Sequence, residues 1–485
     1  MTNQSVTSTP TRPQMTKDMA ELYRPAMVLR HDKAPEGSAT SDAASIADWD
    51  PIAPALQGAT RKLEPDYRVD PGDMGKPDCF ASIQLAISHA ISEAKSKGLT
   101  KRIFIEIAPG TYNELVYIPA LEVNGQKIPI TLYGRDKDAS KTVISVDIDQ
   151  GLTADAYTMR FCAAFHHTEE SIKAMFEEIS ARGDFDIGTT NSCVMRIRND
   201  GFEALNLSVK NSYNEDRITP DIADQANVTR NEKGQLSHGQ HQAVAVLVDA
   251  ADRVLFENVR LIGDQDTLYF KTNEPRVTVK SYYKNCYIEG DVDFIFGNST
   301  AFFDHCEIRS KGARTADTYV AAPSTNIHIP YGIVFWDCTF THDESEAAKQ
   351  GCFSLGRQWF ERVRATPYGP TPVPGYRCTL GEVSHYEEPI GTIALKTLEA
   401  VGKVAVLHSR IGAHINPLAP WTDWNGGSFD ADGTYHPAPW APRFRPVQYG
   451  IRDFNHHLAD WLEAEGLSYS NKDAPLPFIA EYGNS

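Results

Sequence analysis

Apolar and polar positions alternate in short runs through the middle of this chain, and one such pattern is written twice. Residues 255–269, LFENVRLIGDQDTLY, align without a gap on residues 282–296, YYKNCYIEGDVDFIF, at a constant offset of 27. Asn258 meets Asn285, Gly263 meets Gly290, Asp264 meets Asp291, Asp266 meets Asp293, and Tyr269 meets Phe296. A period in the twenties, made of short β-rich segments with small and polar residues at fixed offsets, marks a stacked solenoid rather than a closed sheet. Equivalent residues then occupy neighbouring rungs. With parallel strands in register, Asp266 and Asp293 lie about one strand spacing apart, ~4.8 Å. Two carboxylates that close do not ionise independently, so one is held toward its neutral acid while the other stays charged. That arrangement supplies an acid and a nucleophile.

The rest of the chain extends the solenoid. CFASIQLAISHAISEAKSKG, Cys79 to Gly98, has helical spacing and ends on Gly, so it predicts a helix capping the first coil. Strand-like segments follow in RIFIEIAPGTYNELVYIP and ITLYGR, and HTEESIKAMFEEISARG at 167–183 predicts an inserted amphipathic helix. Rungs resume with CVMRI, GFEALNLSVKNS and QAVAVLVDA, pass through the duplicated pair, and continue in AFFDHCEIRS, TYVAAPSTN and YGIVFWDCTF. Arg364 to Gly375 is a Pro- and Gly-rich loop, KVAVLHSRIGAHI at 403–415 a late rung, and FNHHLADWLEAEGL a terminal helix. The expected architecture is an all-β parallel β-helix over residues 56–485. Residues 1–55, rich in Ser, Thr, Pro, Ala and Asp, form a flexible or surface-draped extension.

Composition narrows the partners. A net charge of -17 argues against nucleic acid and against anionic membrane surfaces, both of which need basic patches. No apolar run approaches the roughly 18 residues of a membrane span. The N-terminus in the form given has no apolar core of a secretory signal. Eight cysteines in a chain of 485 residues do not make a disulfide scaffold, and no C-x-x-C pair marks a zinc site. Cys286, Cys306 and Cys338 each follow a similar segment, YYKNC, FFDHC and VFWDC, and form a column in a solenoid. They are either small buried hydrophobes or, for Cys286 and Cys306, a disulfide between adjacent coils.

GTYNE (110–114), QAVAV (242–246), GDQDTLY (263–269), GDVDFIFGN (290–298) and LGRQW (355–359) occur in the order and spacing of the pectin methylesterases, and the chain resembles that family over roughly residues 60 to 460. The resemblance implies a right-handed parallel β-helix that hydrolyses galacturonate methyl esters of pectin without metal or other cofactor. It also implies export to the periplasm, cell envelope or medium, and a monomer is expected. An inter-coil disulfide at the positions of Cys286 and Cys306 occurs in some members. The insertions resemble a divergent bacterial branch, part of which has been linked to acyl-thioester hydrolysis. One departure stands in the fifth motif, where Gln358 replaces the usual proline.

Ester hydrolysis without a metal needs a nucleophile, a proton donor for the departing alkoxide, and donors aimed at the oxyanion. By position in the family, Asp293 is the nucleophile, Arg357 holds it ionised, and Asp266 is the acid and later the base. Gln242 and Gln265 match the oxyanion donors. Trp359 and Phe296 offer faces for a sugar ring, Val292 flanks the nucleophile, and Thr189 aligns with a substrate-contacting threonine. Plainer roles compete. Asp264 and Asp291 are expected to be turn residues, Asn258 and Asn285 a ladder between turns, Trp359 a core residue and Arg357 a surface charge. The aspartate pair also suits a retaining glycoside hydrolase. An arginine and two glutamines favour the ester, because a sugar acetal has no carbonyl oxyanion to stabilise. A silent carbohydrate-binding β-helix is the third possibility.

Overall fold

The computed structural model of the protein describes residues 12–29, 63–213, 215, 230–236, 241–274, 276–326, 328–359, 400, 402–422, 428–429, 435–436 and 478–485. Three parallel sheets run through it, a large one of eleven strands and two of eight. Each coil gives one strand to each sheet: Lys280–Lys284 to the large sheet, Tyr287–Gly290 to a side sheet and Ile295–Gly297 to a front sheet, before Thr300–Asp304 returns to the large one. Leu255 pairs with Tyr282, Arg260 with Tyr287 and Leu268 with Ile295, so the repeat of 27 sets the register in all three sheets. This is the expected parallel β-helix.

The repeated polar residue has a backbone cause. At the corner between large and side sheets, Asn206, Asn258, Asn285, His305, Asp337 and His408 all adopt φ between 50° and 55°. Asn, Asp and His tolerate this left-handed region better than other side chains with a Cβ. Asn258 Nδ2 also donates to Asn206 Oδ1 at 2.8 Å, so its ladder bond runs to the coil before rather than to the expected Asn285. The next residue points inward, and Val259, Cys286, Cys306 and Cys338 are all buried. Of the two readings of this column the buried small hydrophobe is the one found: Cys286 and Cys306 are free thiols. Cys286 Sγ donates to Phe256 O at 3.4 Å and Cys306 Sγ to Tyr283 O at 3.3 Å. Equivalent side chains on parallel coils point the same way at about 4.8 Å. A disulfide needs Cβ atoms converging to about 3.8 Å with a twist near 90°.

Inside the large sheet, aromatic rings stack down the axis. Phe256 lies 5.0 Å from Tyr283, Tyr283 4.5 Å from Phe303, and Phe303 5.0 Å from Phe335, with interplanar angles of 6°, 10° and 25°. Phe303 is fully buried between two rings. Replacing it with Ala is expected to cost about 3–5 kcal/mol, read as a lowered denaturation midpoint with unchanged slope.

The first coil is closed by the helix Ile83–Lys97, capped by Ser82 at its start and by Gly98 at φ 64° at its end. Glu114 of the GTYNE motif accepts from Ile83 N at 2.9 Å, Gln84 N at 3.0 Å and Ser82 Oγ at 2.6 Å, so this motif fastens the cap. The insertion is a hairpin of two helices, Ala154–Phe165 and Glu170–Ser180, where one was expected. It covers the first rungs of the front sheet through Tyr157, whose hydroxyl bonds that of Tyr117 at 2.8 Å. The late rung is present as Val404–Leu407 and Arg410–Ile411. The terminal helix at 454–467, the loop at 364–375 and the boundary near residue 55 lie outside the described residues.

Residues 12–29 cross the outer face of the large sheet. Met15, Tyr23, Val28 and Leu29 pack on Tyr282, Phe302, Val334 and Ala480. Met15 N donates to Glu481 O at 2.9 Å, and Arg12 makes two side-chain bonds of 2.9 Å to the Glu481 carboxylate.

Candidate active site

The turn that carries the chain from side sheet to front sheet holds the repeated aspartates. Asp266 and Asp293 both have left-handed backbones, φ 66° and 51°. Asp266 N donates to Val292 O at 3.0 Å and Leu268 N to Phe294 O at 2.8 Å, which places the two aspartates on consecutive coils. Gly297 closes the second motif at φ 144°, where a Cβ would lie 1.7 Å from Phe270 O. Only Gly permits the next coil to approach that closely.

Arg357 comes from the front strand Ser354–Arg357, two rungs beyond Ile295–Gly297. Its Nε donates to Asp293 Oδ1 at 2.9 Å and its Nη2 to Oδ2 at 2.8 Å. The guanidinium lies 3.9 Å over the ring of Tyr319, and the Arg357 and Asp293 side chains are 14% and 9% exposed. Arg357 is therefore a buried, bidentate partner rather than a surface charge. Asp266 is also buried. Its carboxyl is pushed well above the usual range, first by burial and second by the charge of Asp293.

Gln265 Oε1 accepts from His241 N at 3.0 Å, and this bond fixes the orientation of the amide. The backbone carbonyl of Gln242 accepts from Gln150 N at 2.8 Å, and Gly188 N donates to Gln150 O at 3.0 Å. That relay connects the short turn Thr189–Asn191 to Gln242. Thr189 O also accepts from Ser192 Oγ at 2.9 Å, and Ser192 Oγ accepts from Val244 N of the QAVAV motif at 3.4 Å, a second link from this turn to the segment that carries Gln242.

The outer face of the front sheet is aromatic. Tyr269 and Phe296 stack at 4.2 Å and 13°, and Trp359 meets them edge-on at 6.2 and 5.8 Å. The repeat aligned Tyr269 with Phe296, yet sequence reasoning did not place Tyr269 in the site. Gln358, the departure in the fifth motif, is buried with Nε2 on Gly402 O at 3.0 Å, so it ties the strand under Trp359 to the late rung.

Asp264 and Asp291 correct the expectation of simple turn residues. Both are buried, Asp291 completely. Arg314 Nε and Nη2 donate to Asp291 Oδ2 and Oδ1 at 2.7 and 2.8 Å, and Lys311 Nζ lies 2.5 Å from Asp264 Oδ1. Burial and then the charge of Asp291 push the Asp264 carboxyl up. A carboxylate buried this deeply needs a cation more than a turn does. A recess of about 180 Å³ opens beside this group, lined by Lys210, Tyr213, Glu289 and Lys311 among others.

Comparison with known proteins assigns the class: the chain is a carboxylic ester hydrolase built on a parallel β-helix. The family model for pectinesterases matches residues 225–366. A pectinesterase of Sitophilus oryzae is 30% identical over 395 residues, covering 81% of this chain and 84% of that protein. Escherichia coli YbhC, provisionally named an acyl-CoA thioester hydrolase, is 29% identical over 321 residues, covering 64% of this chain and 65% of it. The solved structure of rice weevil pectin methyl esterase superposes with a TM-score of 0.67 at 24% identity, covering 100% of this chain and 99% of that one, and shares the fold. The chain belongs to the pectinesterase family.

Proposed function

We propose that the chain hydrolyses the methyl esters of galacturonate units in pectin through an aspartyl acyl-enzyme, with Asp293 as nucleophile and Asp266 as acid and then base. The observation that carries this reading is the pairing of two stacked carboxylates with opposite environments. Asp293 is held by two charge-assisted bonds from Arg357, while Asp266, one coil away, is buried and favours its neutral acid. Surroundings that differ in this way divide the two roles between chemically identical side chains.

Asp293 Oδ attacks the ester carbonyl carbon, and the carbonyl oxygen becomes an oxyanion within reach of the Gln242 and Gln265 amides. The bond from carbon to methoxy oxygen then breaks. Asp266 gives its proton to the departing oxygen, methanol leaves, and the mixed anhydride on Asp293 remains. Water attacks that carbonyl and gives one proton to Asp266, the acyl bond to Asp293 breaks and restores its carboxylate, and the galacturonic acid released loses its remaining proton to solvent. Phe296, Tyr269 and Trp359 supply apolar faces on which a sugar ring lies. Val292 and Thr189 border the reacting ester, and the chain acts as a monomer outside the cytosol, where its polymer occurs.

Methanol and reducing ends measured in the same tubes with methyl-esterified pectin test this reading. Methanol without new reducing ends supports the esterase. Reducing ends would point to a glycosidase, and cleavage of acyl thioesters in preference to pectin would point to the thioester reading. The oxyanion role makes a separate prediction: Gln265→Ala lowers kcat by roughly 10²–10³-fold with a small change in KM.

A further inference from the structure

The turn bearing Asp293 is gripped from behind. Asp291 Oδ1 accepts from Val292 N at 2.6 Å, and Val292 O accepts from Asp266 N at 3.0 Å, so one peptide segment joins Asp291 to both reacting aspartates. Asp291 N donates to Asp264 O at 3.1 Å, which fixes the same turn to the coil before it. Arg314 then holds both oxygens of Asp291 at 2.7 and 2.8 Å, with Arg314 and Asp291 side chains 7% and 0% exposed. A guanidinium fork on a buried carboxylate leaves that carboxylate one orientation, and the Val292 N–H bond passes the constraint to the neighbouring peptide.

We propose that Arg314, acting through Asp291, is a positioning residue for the reaction: it clamps the turn that presents Asp293 and sets the field at Asp266. The inference rests on the assignment of Asp293 and Asp266 made above. Arg314 touches no substrate in this role.

The two members of the clamp act on Asp266 with opposite sign. The charged groups facing Asp266 are Asp293, Arg357, Asp291 and Arg314, with Asp264 on its own turn paired to Lys311 from the loop after Glu307–Ser310. Asp291 disfavours the Asp266 anion and Arg314 favours it. The rate falls as pH rises and Asp266 loses the proton it must give to the leaving group. Removing the cation therefore moves this basic limb to higher pH, and removing the Asp291 charge moves it to lower pH.

The experiment measures kcat and KM for methanol release across pH for wild type, Arg314→Gln, Asp291→Asn and the double variant. In each variant kcat falls by about tenfold to a hundredfold with KM nearly unchanged, the cost of a misplaced reacting group. The basic limbs of the two single variants shift in opposite directions, and the double variant, which removes both charges, lies between them. If Arg314→Gln does not fold, Asp291→Asn carries the test alone, with its limb required to move down. Limbs that stay with wild type, or activity that only tracks melting temperature, would overturn the clamp. Methanol release that survives in Asp293→Ala would instead overturn the assignment beneath it.

Discussion

Asp293→Ala is expected to reduce methanol release from methyl-esterified pectin by roughly 10⁴-fold or more, with the folded state retained. The size of the loss follows from the proposed mechanism: without that carboxylate no acyl-enzyme forms, and the buried acid Asp266 has no leaving group to protonate. Folding should survive because the turn does not depend on the Asp293 side chain. Its backbone is set by the bond from Asp266 N to Val292 O and by the register of Leu268 on Ile295. The substitution does leave the buried Arg357 guanidinium without its carboxylate, so a drop in melting temperature accompanies the loss of activity. Unchanged methanol release would remove Asp293 from the mechanism.

Arg357 carries the second large effect, and it separates charge from geometry. Arg357→Ala leaves the buried Asp293 carboxylate without its cation, which costs about 3–5 kcal/mol of stability as well as activity. Arg357→Lys retains the charge but loses the planar fork that engages both oxygens and lies over Tyr319. The lysine variant is expected to melt closer to wild type yet show kcat lowered by on the order of a hundredfold, since the nucleophile is no longer held in one orientation. Comparable kcat in the lysine variant and wild type would mean that charge alone suffices.

The features that were legible in the sequence either repeat, as the two aspartates do, or stand in motifs shared with the family, as Gln242 in QAVAV and Arg357 in LGRQW do. An offset of 27 set strand register, placed Asp266 beside Asp293 and aligned Tyr269 with Phe296. Partners that lie outside both the repeat and the family motifs carried no such signal. Lys311 and Arg314 come from the loop after the strand Glu307–Ser310 and reach back to Asp264 and Asp291. Only the rise of the coil brings them there. A weaker signal was available, because a Gly-Asp doublet repeated at the same offset implied two stacked carboxylates, and stacked buried carboxylates call for cations.

Other departures have equally local causes. The helix Ala154–Phe165 buries only Ala154, Tyr157 and Phe165, so its sequence shows no continuous apolar stripe. The cysteine column looked suited to a disulfide because proximity is visible in a repeat, whereas the direction of each Cα–Cβ bond is not. The first residues were read by composition as one extension. Composition averages over Met15, Tyr23, Val28 and Leu29, the few apolar anchors that fasten residues 12–29 to the large sheet.

That fastening changes how a stack of coils comes apart. A solenoid ordinarily frays from either end, because each terminal coil has one neighbour and opens independently of the rest. Here the strand Ile479–Tyr482 lies at one end of the large sheet and is held by Met15 and by Arg12, the latter across a sequence separation of 469 residues. Glu481 also accepts from Trp421 Nε1 at 3.4 Å, and Trp421 pairs with Gly356 beside Arg357. Peeling that strand therefore requires releasing residues 12–29 as well. The linear stack is buckled like a belt, and the buckle sits against the coil that supplies the site's arginine.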